Sequence, residues 1–564
     1  MPGCATGSSD LFLGAMKPKL SLSVIAICAG LAGPALAQQT TDAVAPEAEL
    51  ENLPVGFEGV SDAAKAALAA KAAGQPTEAQ NWMVAAANPL AVEAGARVLR
   101  EGGSAADAMV AVQAVLGLVE PQSSGGGGGA FLVWYDAASG EVTTLDGRET
   151  APLAATPTLF QIDGEAMGFW DAVIGGRSVG TPGTPMLMQE AHAKWGTAEW
   201  ETLFTEAIDL AEGGFTVSER LAALVQDGEA RLRRFPATEA YFFPGGEPLQ
   251  AGDTLVNAPY AATVRRLAEE GASAIYSGQI AQDIVSTVRG AEDNPGVLAM
   301  VDLETYDIVE RPAVCVEYRE HDVCGMGPPS SGALTVGQIL GILDNFELPG
   351  ADDPEAWRLI GDASRLAFAD RGRYMADSDY VPVPVEGLVD PEYLASRAAL
   401  IDGEVPALSD VAPGTPEYDH ALLWADDQSI ELPSTSHISI VDAAGNALSM
   451  TTTIENGFGS RLMTNGFLLN NELTDFSFAT HSDGWPIANR VEPGKRPRSS
   501  MSPTIVLKDG APVLVIGSPG GSRIIGYVAK SIIGHIDWGQ DVQTALSTPH
   551  LVHRFGTYDL EEGT

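Results

Sequence analysis

Ser434-Thr435-Ser436-His437, running directly into Ile438-Ser439-Ile440-Val441-Asp442, is the stretch on which the chain turns. The alternation of apolar and polar residues over 437–442 predicts a strand. A second hydroxyl-rich run, 447–453, predicts its antiparallel partner, and a Ser499-Ser500 pair and a Gly520-Gly521 turn follow. A Thr hydroxyl is a weak nucleophile that needs an adjacent base. If the chain cuts itself between Ser434 and Thr435, the new α-amine, with an ordinary pKa of roughly 7.7–8.0, supplies that base. Thr453 in the partner strand is placed to hold the amine and the Thr435 hydroxyl. Gly520 and Gly521, at a tight turn before a helix, can aim backbone N–H groups at a developing oxyanion. The plain alternative is that these hydroxyls are strand formers and nothing more.

The composition sets the frame. With 564 residues, 45% of them hydrophobic, and 62 Gly and 36 Pro, the chain suits a large compact α/β enzyme. Its 32 basic and 75 acidic residues give a net charge of −43, which argues against nucleic acid and anionic lipid as partners. Lys17 and Lys19, the apolar run from Leu20 to Leu31 and the Ala35-Leu36-Ala37 motif read as a cleavable export signal over 1–37, with Met16 an alternative start. The expectation is a periplasmic or secreted protein with no membrane span after processing. Of four Cys, Cys4 and Cys28 fall in or before that signal. Cys315 and Cys324 sit on two short strands joined by a tight turn, where either a cross-strand disulfide or two free thiols are open readings.

Along the chain, a lead-in over 38–80 with one helix precedes a strand at 82–87. Asn88-Pro89 opens a helix that stops at Gly102-Gly103, and Ser104 caps another, from Ala105 to about Leu118, with almost no polar face. The run Gly125–Gly129 leads into a strand at 130–134, followed by one at 140–145. Helices are expected near 186–194, 200–211, 217–226, 258–269, 333–345 and 356–372. Residues 401–434, rich in Pro and mixed charge, read as an exposed acidic connector. Strands at 437–442, 447–453, 505–508 and 512–516 and a helix from 522 to 534 complete the pattern.

Other chemistries fit poorly. The eight His are scattered, and His550-x2-His553 lacks the context of a metal site. The glycine-rich runs at 125–129 and 517–523 carry no phosphate-loop Lys, so neither metal nor nucleotide cofactor is expected. Gly176-Arg177-Ser178-Val179-Gly180 matches a serine-hydrolase elbow, but Pro182 and Pro185 stand where its helix should begin at once.

The ordered motifs resemble the γ-glutamyltranspeptidase family. They are the Thr435–Asp442 run with Gly445-Asn446-Ala447, Gly466–Glu472 with Asp475-Phe476-Ser477, Pro493–Pro497 with Ser499–Thr504, and Gly517–Ile525. Upstream, Arg100–Ala108, the glycine run, Arg148–Pro152, Gly180–Thr184 and Pro328–Gly332 follow the same order, so the resemblance runs from about residue 80 to the end. It implies an N-terminal-nucleophile hydrolase with an αββα sandwich. The precursor would be cut at Ser434–Thr435 into a large subunit (38–434, with the acidic linker 401–434) and a small one (435–564) that stay together. Thr435 would form a γ-glutamyl acyl-enzyme, passing the acyl group to water or to an amino acid or peptide amine, with glutathione as one donor. Thr453 would orient it, and Gly520 and Gly521 would form the oxyanion hole. Arg148, Ser499 and Ser500 match positions that hold the substrate α-carboxylate, in keeping with a guanidinium fork and two hydroxyl donors. Glu472 and Asp475 match those that hold the α-ammonium.

Three departures qualify the resemblance. Glu455 stands where many members have Asn, placing three acids around one cation and predicting a protonated carboxyl in the empty site. The segment between Asp475 and Ser499 is short for a lid, leaving an open pocket or one capped by Trp485. The small subunit is short for the family, which reads as a C-terminal truncation. Two alternatives accompany the transferase: a glutaryl or cephalosporin acylase sharing the nucleophile without an ammonium site, and an uncut, inactive homologue.

Overall fold

The computed structural model describes residues 60–401, 411–418, 420, 423–427, 429–556 and 558–561. The expected export signal over 1–37 lies outside them, and the described residues fall in the unit Val44–Thr564. The strands and helices that position the site are β1 (Met83–Ala85), α1 (Pro89–Arg100), α2 (Ala105–Val119), β2 (Gly129–Tyr135), β3 (Val142–Gly147), β4 (Val309–Pro312), β5 (Val314–Tyr318), β6 (His321–Gly325), α3 (Gly332–Leu343), α4 (Pro354–Tyr374), β7 (Ser436–Val441), β8 (Ala447–Thr453), β9 (Thr504–Lys508), β10 (Ala511–Ile516) and α5 (Ile524–Ile536).

These form two antiparallel sheets. One runs β1-β7-β8-β2-β3-β4, the other β10-β9-β6-β5. Side-chain alternation along β2 shows how they stack. Ala130, Leu132 and Trp134 join the core under α1 and α2, whereas Val133 and Tyr135 pack with Cys324, Ala447, Ile505 and Leu507 between the sheets. Both faces of β2 are buried, which is why it reads as an unbroken apolar run. On the far side, α3, α4 and α5 cover the second sheet through Val323, Val506, Leu514 and Ile516. The order helix, sheet, sheet, helix is the expected αββα sandwich. Ser439 and Ser449 link its two sheets by donating hydroxyl hydrogens to Val515 O (3.1 Å) and Ile516 O (3.0 Å).

Helix starts follow local chemistry. The Asn88 side chain accepts from Leu90 N and Pro89 fills the first turn of α1. Ser104 and Asp107 form a capping box at the start of α2, all fifteen residues of which are buried. The glycine run is needed for close approach: a Cβ on Gly128 would stand 1.9 Å from Thr453 O, and one on Gly127 2.1 Å from Leu468 O. Cys315 and Cys324 are direct cross-strand partners and are bonded, with S–S 2.04 Å.

Two expectations need correction. Residues 401–434 are only partly an exposed connector: Leu423 is exposed, but Trp424, Ala425, Glu431 and Leu432 are buried. Ala425 N donates to Pro486 O at 2.9 Å and Arg373 pairs with Asp426 at 2.6 Å. Pro and charge point to solvent in a sequence, but here protein groups satisfy part of them. The helix placed at 200–211 divides into a 3₁₀ turn at Trp200–Phe204 and an α-helix at Thr205–Gly213.

Candidate active site

The register Ser436↔Thr452 between β7 and β8 brings Thr435 and Thr453 to one end of the first sheet. Their hydroxyl oxygens lie 3.4 Å apart in the lining of a cleft. The Thr453 hydroxyl is fixed by accepting Glu455 N–H at 2.8 Å. Glu455 itself has φ +75°, a left-handed conformation that non-glycine residues rarely adopt. This turn aims its carboxylate into the cleft, where it accepts from Leu432 N (3.2 Å) and from the Asn471 side chain.

A 3₁₀ turn, Glu472–Asp475, supplies the acidic wall. The preceding Asn470 anchors it by donating to Gly127 O (2.7 Å) and Gly180 O (2.9 Å) while accepting from Gly180 N (2.9 Å). Arg148, at the end of β3, pairs with Glu472 and donates to Asp475 Oδ2 at 2.5 Å and Arg498 O at 2.9 Å. Opposite stand Ser499 and Ser500. Ser499 is held by backbone bonds to Pro329 O (3.0 Å) and from Ser331 N (2.8 Å). Gly521, with φ +57°, opens the turn into α5.

Thus Thr435, Thr453, Arg148, Glu455, Glu472, Asp475, Ser499, Ser500 and Gly521 all line one cleft, together with Ser434. Gly520 is the exception: it is not among the lining residues, and a Cβ there would stand 2.9 Å from the Tyr527 ring. Trp485 is half exposed on a small hairpin and does not line the cleft, so it is not a cap. Ser178 is buried in a 3₁₀ turn and donates to Val173 O at 2.7 Å, away from the cleft. Among the described residues no group of His, Cys, Asp and Glu could hold a metal ion.

The electrostatics are dominated by burial. Burial and the neighbouring Glu472 push Glu455 up to about 8. Burial likewise raises Glu472 and Asp475, against the pull of Arg148. The expected protonated carboxyl is therefore consistent with the cleft's charges. Burial lowers His437 to about 3, so it is a neutral imidazole between Thr451 Oγ1 and Ser439 Oγ, both at 2.9 Å.

Four buried charges escaped the sequence reading. Glu149 lies behind Glu472, and burial holds it well above the ordinary carboxyl range. Glu431, Arg371 and Arg498 form an ionic cluster on the serine side of the cleft.

With the site described, the relatives can be compared. Glutathione hydrolase proenzymes are 39% identical over 496 residues in Bacillus subtilis (strain 168), covering 86% of this chain and 83% of that one, and 37% identical in Escherichia coli (strain K12), covering 85% and 82%. In structure the chain resembles a cephalosporin acylase from Bacillus halodurans, with TM-score 0.71, 25% identity and coverage of 84% and 85%. It also resembles the Helicobacter pylori gamma-glutamyltranspeptidase, with TM-score 0.59, 32% identity and coverage of 61% and 100%. The sequence profile described as Gamma-glutamyltranspeptidase matches residues 91–564, and the chain belongs to that family of enzymes.

Proposed function

We propose that this chain is a precursor that cuts itself at Ser434–Thr435 and then acts as a γ-glutamyltransferase and glutathione hydrolase. One observation carries the reading. The Thr435 and Thr453 hydroxyls meet in the lining of a cleft whose walls offer carboxylates on one side and serines backed by guanidinium groups on the other. A γ-glutamyl group carries both charges on its α-carbon, and leaving either wall unpaired would be costly.

In the precursor the Thr435 hydroxyl attacks the Ser434 carbonyl, and hydrolysis of the resulting ester frees the Thr435 α-amine and a Ser434 carboxylate. The small subunit then begins at Thr435 and remains paired with the large one through β1 and β2, which flank β7 and β8. In the mature enzyme the α-amine takes the hydroxyl proton as Oγ attacks the γ-glutamyl carbonyl. Backbone N–H groups at Gly520-Gly521 receive the oxyanion. The departing amine takes the proton, and water or an acceptor amine then attacks the ester to regenerate Thr435. Three acids, Glu455, Glu472 and Asp475, against one Arg148 offer acceptors for the α-ammonium, whose arrival favours their ionised forms.

Export by the 1–37 segment belongs to the same reading; the Cys315–Cys324 bond fits an oxidising compartment. The structural likeness to a cephalosporin acylase supports a second reading, acyl transfer without an ammonium site. A denaturing gel and two anilides decide. Fragments divided at Thr435, chromophore release from γ-glutamyl p-nitroanilide faster than from glutaryl p-nitroanilide, and loss of both cut and release in Thr435→Ala are expected. A single full-length band supports the inactive homologue, and faster glutaryl turnover the acylase.

A further inference from the structure

Glu431 sits four residues before the proposed cut and is 3% exposed. The Ser500 hydroxyl donates to one of its carboxylate oxygens, and the Arg371 guanidinium pairs with the other. Arg498 Nη2 stands 3.3 Å from that second oxygen. Arg371 Nη2 also donates to Ser500 Oγ at 2.7 Å, and its Nε donates to Ser331 Oγ at 2.8 Å. The next residue continues through the cleft, with Leu432 N on Glu455 and the Leu432 backbone against Gly521. The uncut chain therefore lays one of its own carboxylates against Ser500, where a substrate carboxylate is expected.

Charge pairing separates Arg148, which lines the cleft, from Arg371 and Arg498 behind its serines. Arg148 is matched by Glu472 and Asp475, and Arg498 by Asp427 at 3.0 Å as well as Glu431. Among the described residues, the carboxylate paired with Arg371 is Glu431. Although burial works against its charge, Arg371 and Arg498 hold Glu431 down at about 2, so it is ionised at working pH. Removing it leaves Arg371, 3% exposed, as a buried cation whose remaining nearby carboxylate, Asp427, is paired with Arg498, and another anion on that spot is then favoured.

Resting on the function proposed above, we infer that Arg371 is the cation behind the substrate α-carboxylate in the mature enzyme, and that Glu431 holds that place in the precursor. Cutting at Ser434–Thr435 frees the 431–434 end, Glu431 withdraws, and Arg371 with Ser500 takes the incoming carboxylate. Arg371 is then a specificity determinant, and the precursor cannot bind donor before it has matured.

Two measurements test this. In matured enzyme, normalised to small subunit on a gel, Arg371→Gln is compared with wild type on γ-glutamyl p-nitroanilide and on 4-aminobutyryl p-nitroanilide, which keeps the amine but lacks the carboxylate. The expected result is a KM for the γ-glutamyl donor raised about tenfold or more with kcat within about threefold, kcat/KM for the other donor unchanged, and partial recovery in Arg371→Lys. Equal losses on both donors, or none, overturn the inference. The second uses uncut protein and no activity. Glu431→Ala in a Thr435→Ala background leaves a void the size of acetate. Acetate is expected to raise its Tm by about 3 °C or more relative to chloride, and to leave Thr435→Ala alone unchanged. No acetate shift overturns the Glu431 half. Acetate binding with no γ-glutamyl turnover in wild type overturns the proposed function while leaving the anion place intact.

Discussion

Thr435 and Thr453 face each other across the ends of two paired strands, hydroxyl to hydroxyl at 3.4 Å, with Thr453 held in turn by the Glu455 N–H at 2.8 Å. The orientation of the Thr435 hydroxyl thus passes through one neighbour to the backbone of the turn that carries an acidic wall residue.

Thr453→Val keeps the side-chain shape and removes that contact. Turnover of γ-glutamyl p-nitroanilide is expected to fall about 10²-fold with KM little changed, because misplacing a reacting group by about 1 Å costs on that order. The cut, followed on gels over time, slows as well. Unaltered kcat would leave Thr453 a strand residue and nothing more.

Gly521→Ala probes the turn into α5. Its φ of +57° costs an L side chain about 1 kcal/mol or more, and the added Cβ would stand 2.7 Å from Leu432 C and O. The uncut chain is expected to melt several degrees lower and to mature at least tenfold more slowly. Calorimetry and a maturation time course check both.

Glu455 gives a pH signature. Its folded value of about 8 lies above the ordinary 4.5, so between the two the folded protein keeps a proton that the unfolded chain releases. That contribution to stability is full below about 4.5 and is lost as pH rises through 8, with a slope of at most about 1.4 kcal/mol per pH unit. In a Thr435→Ala background, Glu455→Gln is expected to remove this slope. Its urea midpoint should gain on that of the parent from pH 5 to pH 8, and a constant difference would count against the assignment.

The Cys315–Cys324 bond joins strands already paired in register. Loop closure sets an upper limit of about 2–3 kcal/mol on its contribution. A Cys315→Ser, Cys324→Ser double variant is expected to lose a few degrees in Tm yet still cut at Thr435 and turn over substrate. Loss of the cut in a folded variant would give the bond a role in maturation.

The sequence by itself determined the elements and most of the cleft. The capped helices α1 and α2, the glycine run, the cysteine hairpin and the paired strands β7 and β8 all carry local signals, since caps, turns and strand alternation depend on neighbours a few residues away. The ordered motifs brought Thr435, Thr453, Arg148, Glu472, Asp475 and Ser499-Ser500 into one expected site, and the tertiary structure places them around one cleft. What the tertiary structure alone decided were pairings between distant parts of the chain. Arg148 was expected to face a carboxylate, but in the uncut chain it is matched by Glu472 and Asp475, 324 and 327 residues away. Glu431, in a segment whose charge and prolines suggested solvent, is buried on Arg371 from α4 and Ser500 from the small subunit. A charge in a sequence carries no mark of whether water or another buried charge will satisfy it. Only the packing of α4 against the Ser499–Ser500 segment makes that choice, because a charge is stable in the interior only where its counter-charge is delivered to it.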